Sequence, residues 1–293
     1  MPISLSEDIV RKIPHGCLVK LQAIYDSLKT AEKKAADLLI ARPDFFASAT
    51  IVESAQEAGC SEATMMRLAR RLGFDGYPDL KNYLLRERET SPVLLYEGIT
   101  GADDPETVVK KVFNASIQSL TDTLNILHKE EYKKAVEAIC TAKKIVLCGM
   151  GDAFTVAQSG FQKFIRIGYE VYASPDLDLQ LIAASHMAPG DVLLAISHSG
   201  RTRSLVDVVK YARTTEATTI SITNYPVSPL AKNSDIILLT AVFAEHMQGE
   251  VMAKRITELC VLESLYISVL LKRQAELADD LRKSNLSLEV NKL

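Results

Sequence analysis

Residues Thr50–Gly73 read TIVESAQEAGCSEATMMRLARRLG. The first part, residues 51–58, favours a helix that Gly59 interrupts. Ser61 is a suitable N-cap for a second helix over residues 62–72, because its hydroxyl can accept a bond from an early backbone N–H group. A glycine follows this second helix, as is common at helix C-termini. The stretch therefore predicts two helices joined by a short glycine turn.

The second of these helices divides into two faces at 100° per residue. One face is apolar and carries Met65, Leu68, Ala69 and Leu72. A recognition helix needs such a back for packing and a front of small and basic side chains for the major groove of DNA. We therefore predict the following DNA-binding residues: Ser61, Ala63, Thr64, Arg67, Arg70 and Arg71. The alternative is an ordinary amphipathic helix with a solvated basic face.

Three regions can be distinguished along the chain. Residues 1–88 favour helices throughout, so we expect an all-α DNA-binding domain with the helix-turn-helix at about 50–73. Residues 89–105, ETSPVLLYEGITGADDP, interrupt any periodicity and are the best linker candidate. Residues 106–293 are expected to form a second domain.

The second domain alternates short apolar strands with helices. The predicted strands are Lys144–Cys148, Glu170–Ala173, Val192–Ser197, Thr219–Thr223 and Asp235–Leu239. Several are near-continuous apolar runs, which is typical of strands buried on both faces of a parallel sheet. The alternation predicts a doubly wound α/β sheet with right-handed crossovers. A longer helix at 252–273 should follow the sheet.

Composition limits the function in other ways. The chain has 293 residues and a formal net charge of −3, so a DNA-binding surface must be local. The 5 cysteines are scattered without metal-ligand spacing, and we expect no metal and no cofactor. The N-terminus lacks the apolar core of a signal peptide, and no apolar run is long enough for a membrane helix. We therefore expect a cytoplasmic protein without membrane contact.

The segment from Ser197 to Thr202, SHSGRT, follows an apolar strand and opens a helix. Anions bind at this position in α/β sheets, because a helix N-terminus meets the carboxyl end of a strand there. Hydroxyl groups and backbone N–H groups near a glycine are suitable phosphate donors. We predict ligand contacts from Ser197, His198, Ser199, Gly200 and Thr202. For His198, a polar neighbour without ligand contact is the alternative.

The first strand also runs into a helix, through the sequence GMGDA at 149–153. This is no dinucleotide fingerprint, because Phe154 stands where the third glycine would be. We predict that the loop contacts the same ligand through Gly149, Gly151, Asp152 and Ala153. Since alanine offers no hydroxyl, the contribution expected from this loop is its backbone N–H groups.

These motifs together resemble the RpiR-type family of bacterial regulators. The family's helix-turn-helix is read as VSEATIxRFxxxLGFxGFxxLK, and this chain has CSEATMMRL at 60–68, LGFDGY at 72–77 and LK at 80–81. The two loops and the KFIRIG segment at 163–168 are similar to the sugar-isomerase (SIS) fold that such regulators carry C-terminally. The resemblance covers roughly residues 15–88 and 106–273.

The resemblance implies a transcription regulator of sugar metabolism, expected to be a repressor, that binds operator DNA and a phosphorylated sugar without catalysing a reaction. A homodimer or homotetramer is expected, because a single helix-turn-helix buries too little DNA surface for tight specific binding. The apolar face of helix 252–273 should supply the interface between subunits. The alternative is a sugar-phosphate isomerase or lyase with an appended DNA-binding domain. Such an enzyme needs an acid–base residue. The candidates are Glu245, Glu250, Glu258 and Glu263.

Overall fold

Two compact units make up the chain: Met1–Ile126 with Ala241–Ala253, and Leu127–Thr240 with Lys254–Leu293. The computed structural model describes residues 17–88, 99, 101–242 and 252–290. Most of the predicted linker, 89–98 and 100, lies outside the described residues. The helix Pro105–Ile126 groups with the first unit, although the sequence pattern assigned it to the second domain. The boundary at 106 stays a prediction.

The first unit is helical. Its helices are α1 (Cys17–Ile24), α2 (Thr30–Ala41), α3 (Pro43–Ser48), α4 (Ile51–Ala58), α5 (Glu62–Arg71), α6 (Tyr77–Arg88) and α7 (Pro105–Ile126). The turn between α4 and α5 is the predicted glycine turn. Gly59 ends α4 in a left-handed conformation with φ 61°, and the Ser61 hydroxyl accepts the Thr64 N–H at 3.3 Å. The predicted pair of helices is confirmed.

The back of α5 anchors it in the first unit. Met65, Leu68, Ala69 and Leu72 are fully buried, as the division into faces predicted. The Tyr77 hydroxyl, at the start of α6, lies 2.7 Å from the Ser54 hydroxyl and donates to the Phe46 carbonyl at 3.1 Å. This buried polar group ties three helices together, and such groups are costly to leave unpaired.

The second unit contains one parallel sheet within its described residues, with strand order β2-β1-β3-β4-β5. The strands are β1 (Lys144–Gly149), β2 (Glu170–Ala173), β3 (Val192–Ile196), β4 (Thr218–Thr223) and β5 (Ile236–Leu239). Each predicted strand is found within one residue at either end. The strands could be predicted from their apolar runs because β1 and β3 are buried on both faces of the sheet.

Helices cover both sides of this sheet. They are α8 (Lys129–Cys140), α9 (Ala153–Arg166), α10 (Leu177–Ser185), α11 (Arg203–Thr214), α12 (Pro229–Lys232), α13 (Met252–Lys272) and α14 (Gln274–Glu289). One core cluster joins α8, α9 and α13 to the sheet, and a second joins α10 and α11 to it. The doubly wound fold is thereby confirmed. The final helix α14, for which the sequence carried no prediction, adds Leu277 to the first cluster.

Candidate ligand site and recognition helix

The two predicted ligand loops lie at neighbouring strands. The strand β2 lies on one side of β1, and the chain then crosses to β3 on the other side of β1. The order of the strands therefore reverses between β1 and β3. In open parallel sheets a crevice forms at such a switch point, outside the carboxyl ends of the strands, and ligands bind there. The loop 149–153 follows β1 and the loop 197–202 follows β3. The fold therefore brings the two predicted loops to the same edge of the sheet.

In the loop after β3, the hydroxyl groups have different roles. The Ser197 hydroxyl is buried and accepts the Gly200 N–H at 3.2 Å, so it holds the loop itself. The Ser199 hydroxyl accepts the Arg201 N–H at 3.3 Å. Thr202 is the N-cap of α11, but its side chain makes no cap bond. Because the Thr202 side chain does not cap α11, the first backbone N–H groups of this helix can donate to another acceptor.

Residues at the end of β4 and after it hold this loop in place. The His198 carbonyl accepts the Asn224 N–H at 3.0 Å and the Thr223 hydroxyl at 3.2 Å. The Gly200 carbonyl accepts the Leu230 N–H at 2.9 Å. These supports could not be predicted from the sequence, because they lie more than 20 residues further along the chain and follow no local motif.

The loop after β1 is a tight turn. The N–H groups of Ala153 and Phe154 donate to the carbonyls of Met150 and Gly151, at 3.3 and 3.0 Å. The expectation that Ala153 offers its N–H to a ligand is therefore not supported, since the turn already uses that group. What the loop presents instead is the Asp152 carboxylate, whose Oδ2 accepts Arg255 Nε at 2.7 Å.

Gln180 joins the loops after β1 and β2. Its side-chain amide donates to the Gly149 carbonyl at 3.0 Å and to the Ser174 carbonyl at 2.7 Å. This residue is fully buried. It was not among the predicted site residues, since a lone glutamine on a helix carries no sequence signal. It positions the loop after β1.

Helix α13 contributes charged groups that the motifs did not identify. The Arg255 guanidinium binds both Asp152 and the Glu258 carboxylate. Glu258 is fully buried, and this burial raises the pKa of its carboxyl to about 7, although Arg255 favours the charged form. Of the four candidate glutamates, Glu245 and Glu250 lie outside the described residues. Glu263 is exposed to solvent in part and pairs with Lys163.

His198 lies within electrostatic reach of the same charges. Burial, together with the positive charges of Lys254 and Arg255, lowers the pKa of its imidazole to about 3. The ring stands edge-on to Tyr225, with 5.9 Å between ring centroids. His198 is therefore neutral at physiological pH, and it shares its surroundings with Arg255.

The front of helix α5 is partly as predicted. Ser61, Ala63, Arg67 and Arg70 are exposed. The Arg67 guanidinium donates to the Thr64 hydroxyl at 2.9 Å, and Arg70 Nε to the Asp75 carbonyl at 3.4 Å. Both arginines keep exposed side chains on one face, and their contact with DNA stays a prediction.

Thr64 and Arg71 occupy other positions than expected. Thr64 is buried and bonds to Ser61 and Arg67. The Arg71 guanidinium donates to the buried Glu32 carboxylate at 3.0 Å and to the Ser27 hydroxyl at 2.7 Å. The burial of Thr64 opposes direct DNA contact by its side chain. Arg71 helps to pack α5 within its own unit, and its contact with DNA stays a prediction.

Within the described residues, no three histidine, cysteine or acidic side chains are grouped so that they could hold a metal ion. Among the helices that the structure describes, none combines the length and apolar character of a membrane span.

Solved structures share this architecture. Vibrio vulnificus NanR, solved in complex with ManNAc-6P, is similar over 93% of this chain and 98% of its own, with 24% identity and a TM-score of 0.62. The sugar isomerase domain of an RpiR transcription factor from Sphaerobacter thermophilus is similar over 64% of this chain and 99% of its own, with 24% identity and a TM-score of 0.54.

Known families match both parts of the sequence. The family described as helix-turn-helix domain, rpiR family, matches residues 15–91, and the SIS domain family matches residues 138–268. An uncharacterised HTH-type regulator of Caldanaerobacter subterraneus is 32% identical over 94% of this chain and 98% of its own. The regulator HexR of Pseudomonas aeruginosa is 32% identical over 92% and 95%. The chain therefore belongs to the rpiR family of HTH-type transcriptional regulators that carry a SIS domain.

Proposed function

We propose that this regulator is a cytoplasmic, oligomeric repressor of sugar-metabolism genes and that a phosphorylated sugar controls its affinity for operator DNA. The phosphate of this ligand binds at the start of α11, beside Ser199 and Thr202. The sugar lies at the switch point between β1 and β3. Regulation requires that the ligand binds the DNA-competent and DNA-incompetent states with unequal affinity.

The contrast between helix N-termini within the second unit carries this proposal. Three helices are capped by their own side chains: His128 caps α8, Asp176 caps α10 and Ser228 caps α12. Thr202, the N-cap of α11, makes no such bond. Helices α9 and α14 also begin without one, so the two helices that follow the ligand loops, α9 and α11, are both uncapped. A helix N-terminus with free N–H groups and a positive dipole end is suited to an anion. Ser199 and Thr202 place two hydroxyl groups there.

The ligand class is supported by comparison. NanR of Vibrio vulnificus, which shares the fold, was solved with a sugar phosphate, ManNAc-6P. The two loops of the present chain lie at the carboxyl edge of a parallel sheet, where ligands bind in open α/β folds. A sugar phosphate carries a dianionic group for α11 and hydroxyl groups for the neighbouring loop.

A thermal-shift screen of sugar phosphates against the full chain tests the ligand class. A compound that binds only the native state raises the melting temperature by mass action, by an amount that grows with its concentration. The unphosphorylated sugars serve as controls. If no sugar phosphate raises the melting temperature, the proposed ligand class is wrong.

An operator titration with and without the identified sugar phosphate tests the regulation. The Ser199→Ala/Thr202→Ala variant should lose about 1.5–3 kcal/mol of ligand binding per charge-assisted bond. It should keep its operator affinity without ligand, so a repressor becomes uninducible. Thr214→Ala/Thr215→Ala, at the opposite end of α11, is the matched control and should respond like the wild type. A ligand-dependent activator would instead fall silent in the first variant.

The isomerase alternative has one observation in its favour. Glu258 is a buried carboxyl with a pKa of about 7, a value suited to proton transfer near neutral pH. Two observations favour a binding role instead. Glu258 is paired with Arg255, and the chain belongs to a family of transcriptional regulators. We expect no turnover of a bound sugar phosphate. Isomerised product that is formed by the wild type and lost in Glu258→Gln would establish the enzyme instead.

A further inference from the structure

The described residues contain four buried side-chain polar atoms without a hydrogen-bond partner. They are Gln180 Oε1, His198 Nδ1, Ser221 Oγ and Glu258 Oε1. Leaving such an atom unpaired costs about 1–3 kcal/mol, so each calls for an explanation. Gln180 already has a positioning role between two loops, and Ser221 lies within β4. His198 and Glu258 remain.

One cation, Arg255, acts on both of these side chains. Arg255 binds Glu258 directly, and it also binds Asp152 in the loop after β1. The charges of Arg255 and Lys254 both act on His198, in the loop after β3, and on Glu258. His198 therefore belongs to the loop after β3, and Glu258 is linked through Arg255 to Asp152 in the loop after β1.

We propose that Glu258 Oε1 and His198 Nδ1 recognise hydroxyl groups of the sugar, while the phosphate binds at α11. This assignment rests on the proposed function. It makes the two residues determinants of which sugar phosphate is accepted, and it assigns the site a polyhydroxylated ligand.

The chemistry of the two atoms agrees with hydroxyl groups. Glu258 Oε2 is occupied by Arg255, so Oε1 is left to accept from a hydroxyl. The Arg255 guanidinium there already donates to two carboxylates, those of Glu258 and Asp152. A neutral imidazole has one donor and one acceptor nitrogen, and a sugar hydroxyl can serve either. Because Glu258 Oε1 and His198 Nδ1 are buried, an analogue without the matching hydroxyl should be strongly rejected.

Calorimetric titration of the full chain with two probes tests the proposal. The probes are orthophosphate and a sugar phosphate that binds the wild type in the screen. Glu258→Gln is isosteric and places an amide donor where the carboxylate accepts. It should weaken sugar-phosphate binding about tenfold or more, as expected for loss of a charge-assisted bond. Orthophosphate binding should not change.

Two further variants keep the result interpretable. His198→Phe retains the aromatic contact with Tyr225 and removes both ring nitrogens, and it should also weaken only the sugar phosphate. Glu263→Gln removes a carboxylate elsewhere on α13 and should leave both affinities at the wild-type level.

Wild-type sugar-phosphate affinity in Glu258→Gln and His198→Phe would overturn the proposal. An equal loss for orthophosphate and sugar phosphate would overturn it as well, since the residues would then act only by holding Arg255. If the wild type binds no sugar phosphate at all, the proposed function itself is wrong and this inference falls with it.

Discussion

Gly200 packs against Ser228 so closely that no side chain fits between them. A Cβ atom at Gly200 would lie 2.5 Å from Ser228 Cβ and 2.9 Å from Thr223 Oγ1. The backbone of Gly200 is also left-handed, with φ 59°. Glycine is therefore required here by a close approach as well as by conformation. The loop after β3 depends on this contact for its shape.

Gly200→Ala should destabilise the protein and abolish ligand binding. The left-handed backbone alone costs an alanine about 1–2 kcal/mol, and the clash with Ser228 adds to this. Urea unfolding and ligand titration measure the two effects. Gly151→Ala is the matched control, because Gly151 is also left-handed, with φ 58°, but has open space at its Cα. Equal destabilisation of both variants would contradict the role of the Ser228 contact.

Arg67→Ala and Arg70→Ala should each weaken operator binding. The expected loss is about 1–3 kcal/mol for an arginine that contacts a base, and a smaller, sequence-independent loss for one that contacts only phosphate. Fluorescence anisotropy with operator and scrambled DNA separates the two cases. Arg203→Ala, which removes an exposed arginine from α11, controls for the change of net charge. Unchanged operator affinity in both variants would show that this face does not meet DNA.

The oligomer should assemble through α7. The apolar face of α13, expected to supply the interface, is used by its own core, where Val261, Leu262, Leu265 and Val269 are buried. By contrast, α7 exposes large apolar side chains at helical spacing: Val109, Phe113, Ile117 and Leu124. Light scattering of the full chain should show a dimer or larger species.

The Phe113→Asp/Ile117→Asp variant tests this interface, because it places charges on the exposed apolar stripe of α7. It should shift the protein toward the monomer at micromolar concentration. Leu286→Asp/Leu288→Asp alters exposed leucines on α14 and should leave the assembly intact. Dissociation only in the α14 variant would place the interface there.

Glu258 should make stability fall as the pH rises. Its carboxyl has a pKa of about 7 in the folded chain, against an ordinary value of 4.5. Between these values the folded state keeps a proton that the unfolded state has lost, so the free energy of unfolding decreases from about pH 4.5 to pH 7 and then levels off. The loss is at most about 3 kcal/mol.

Urea unfolding of the wild type and Glu258→Gln at several pH values isolates this contribution. The stability of the variant relative to the wild type should rise between pH 5 and pH 7.5, since glutamine does not ionise. Glu263→Gln, which removes a more exposed carboxylate from the same helix, is the control. A difference between Glu258→Gln and the wild type that stays constant with pH would contradict the raised pKa.

Local physical rules allowed much of this protein to be predicted from its sequence. The strands were predictable because apolar runs mark burial on both faces of a parallel sheet. The α4–α5 turn was predictable because Gly59 and Ser61 satisfy local conformational and capping requirements. The buried face of α5 was predictable from its helical periodicity, and the two strand-to-helix loops were predictable from the alternation of strands and helices.

Tertiary structure alone decided which side chains share a site. Arg71 and Thr64 have the sequence positions of DNA-contacting residues, but packing against Glu32 and Ser61 engages them elsewhere. Arg255 meets Asp152 across 103 residues of chain. No periodicity or motif encodes such a pairing, because burial, and with it the pKa of Glu258, depends on how distant segments pack together. The sequence by itself determined the strands, the helix-turn-helix and the two loops; the packing determined the chemistry between them.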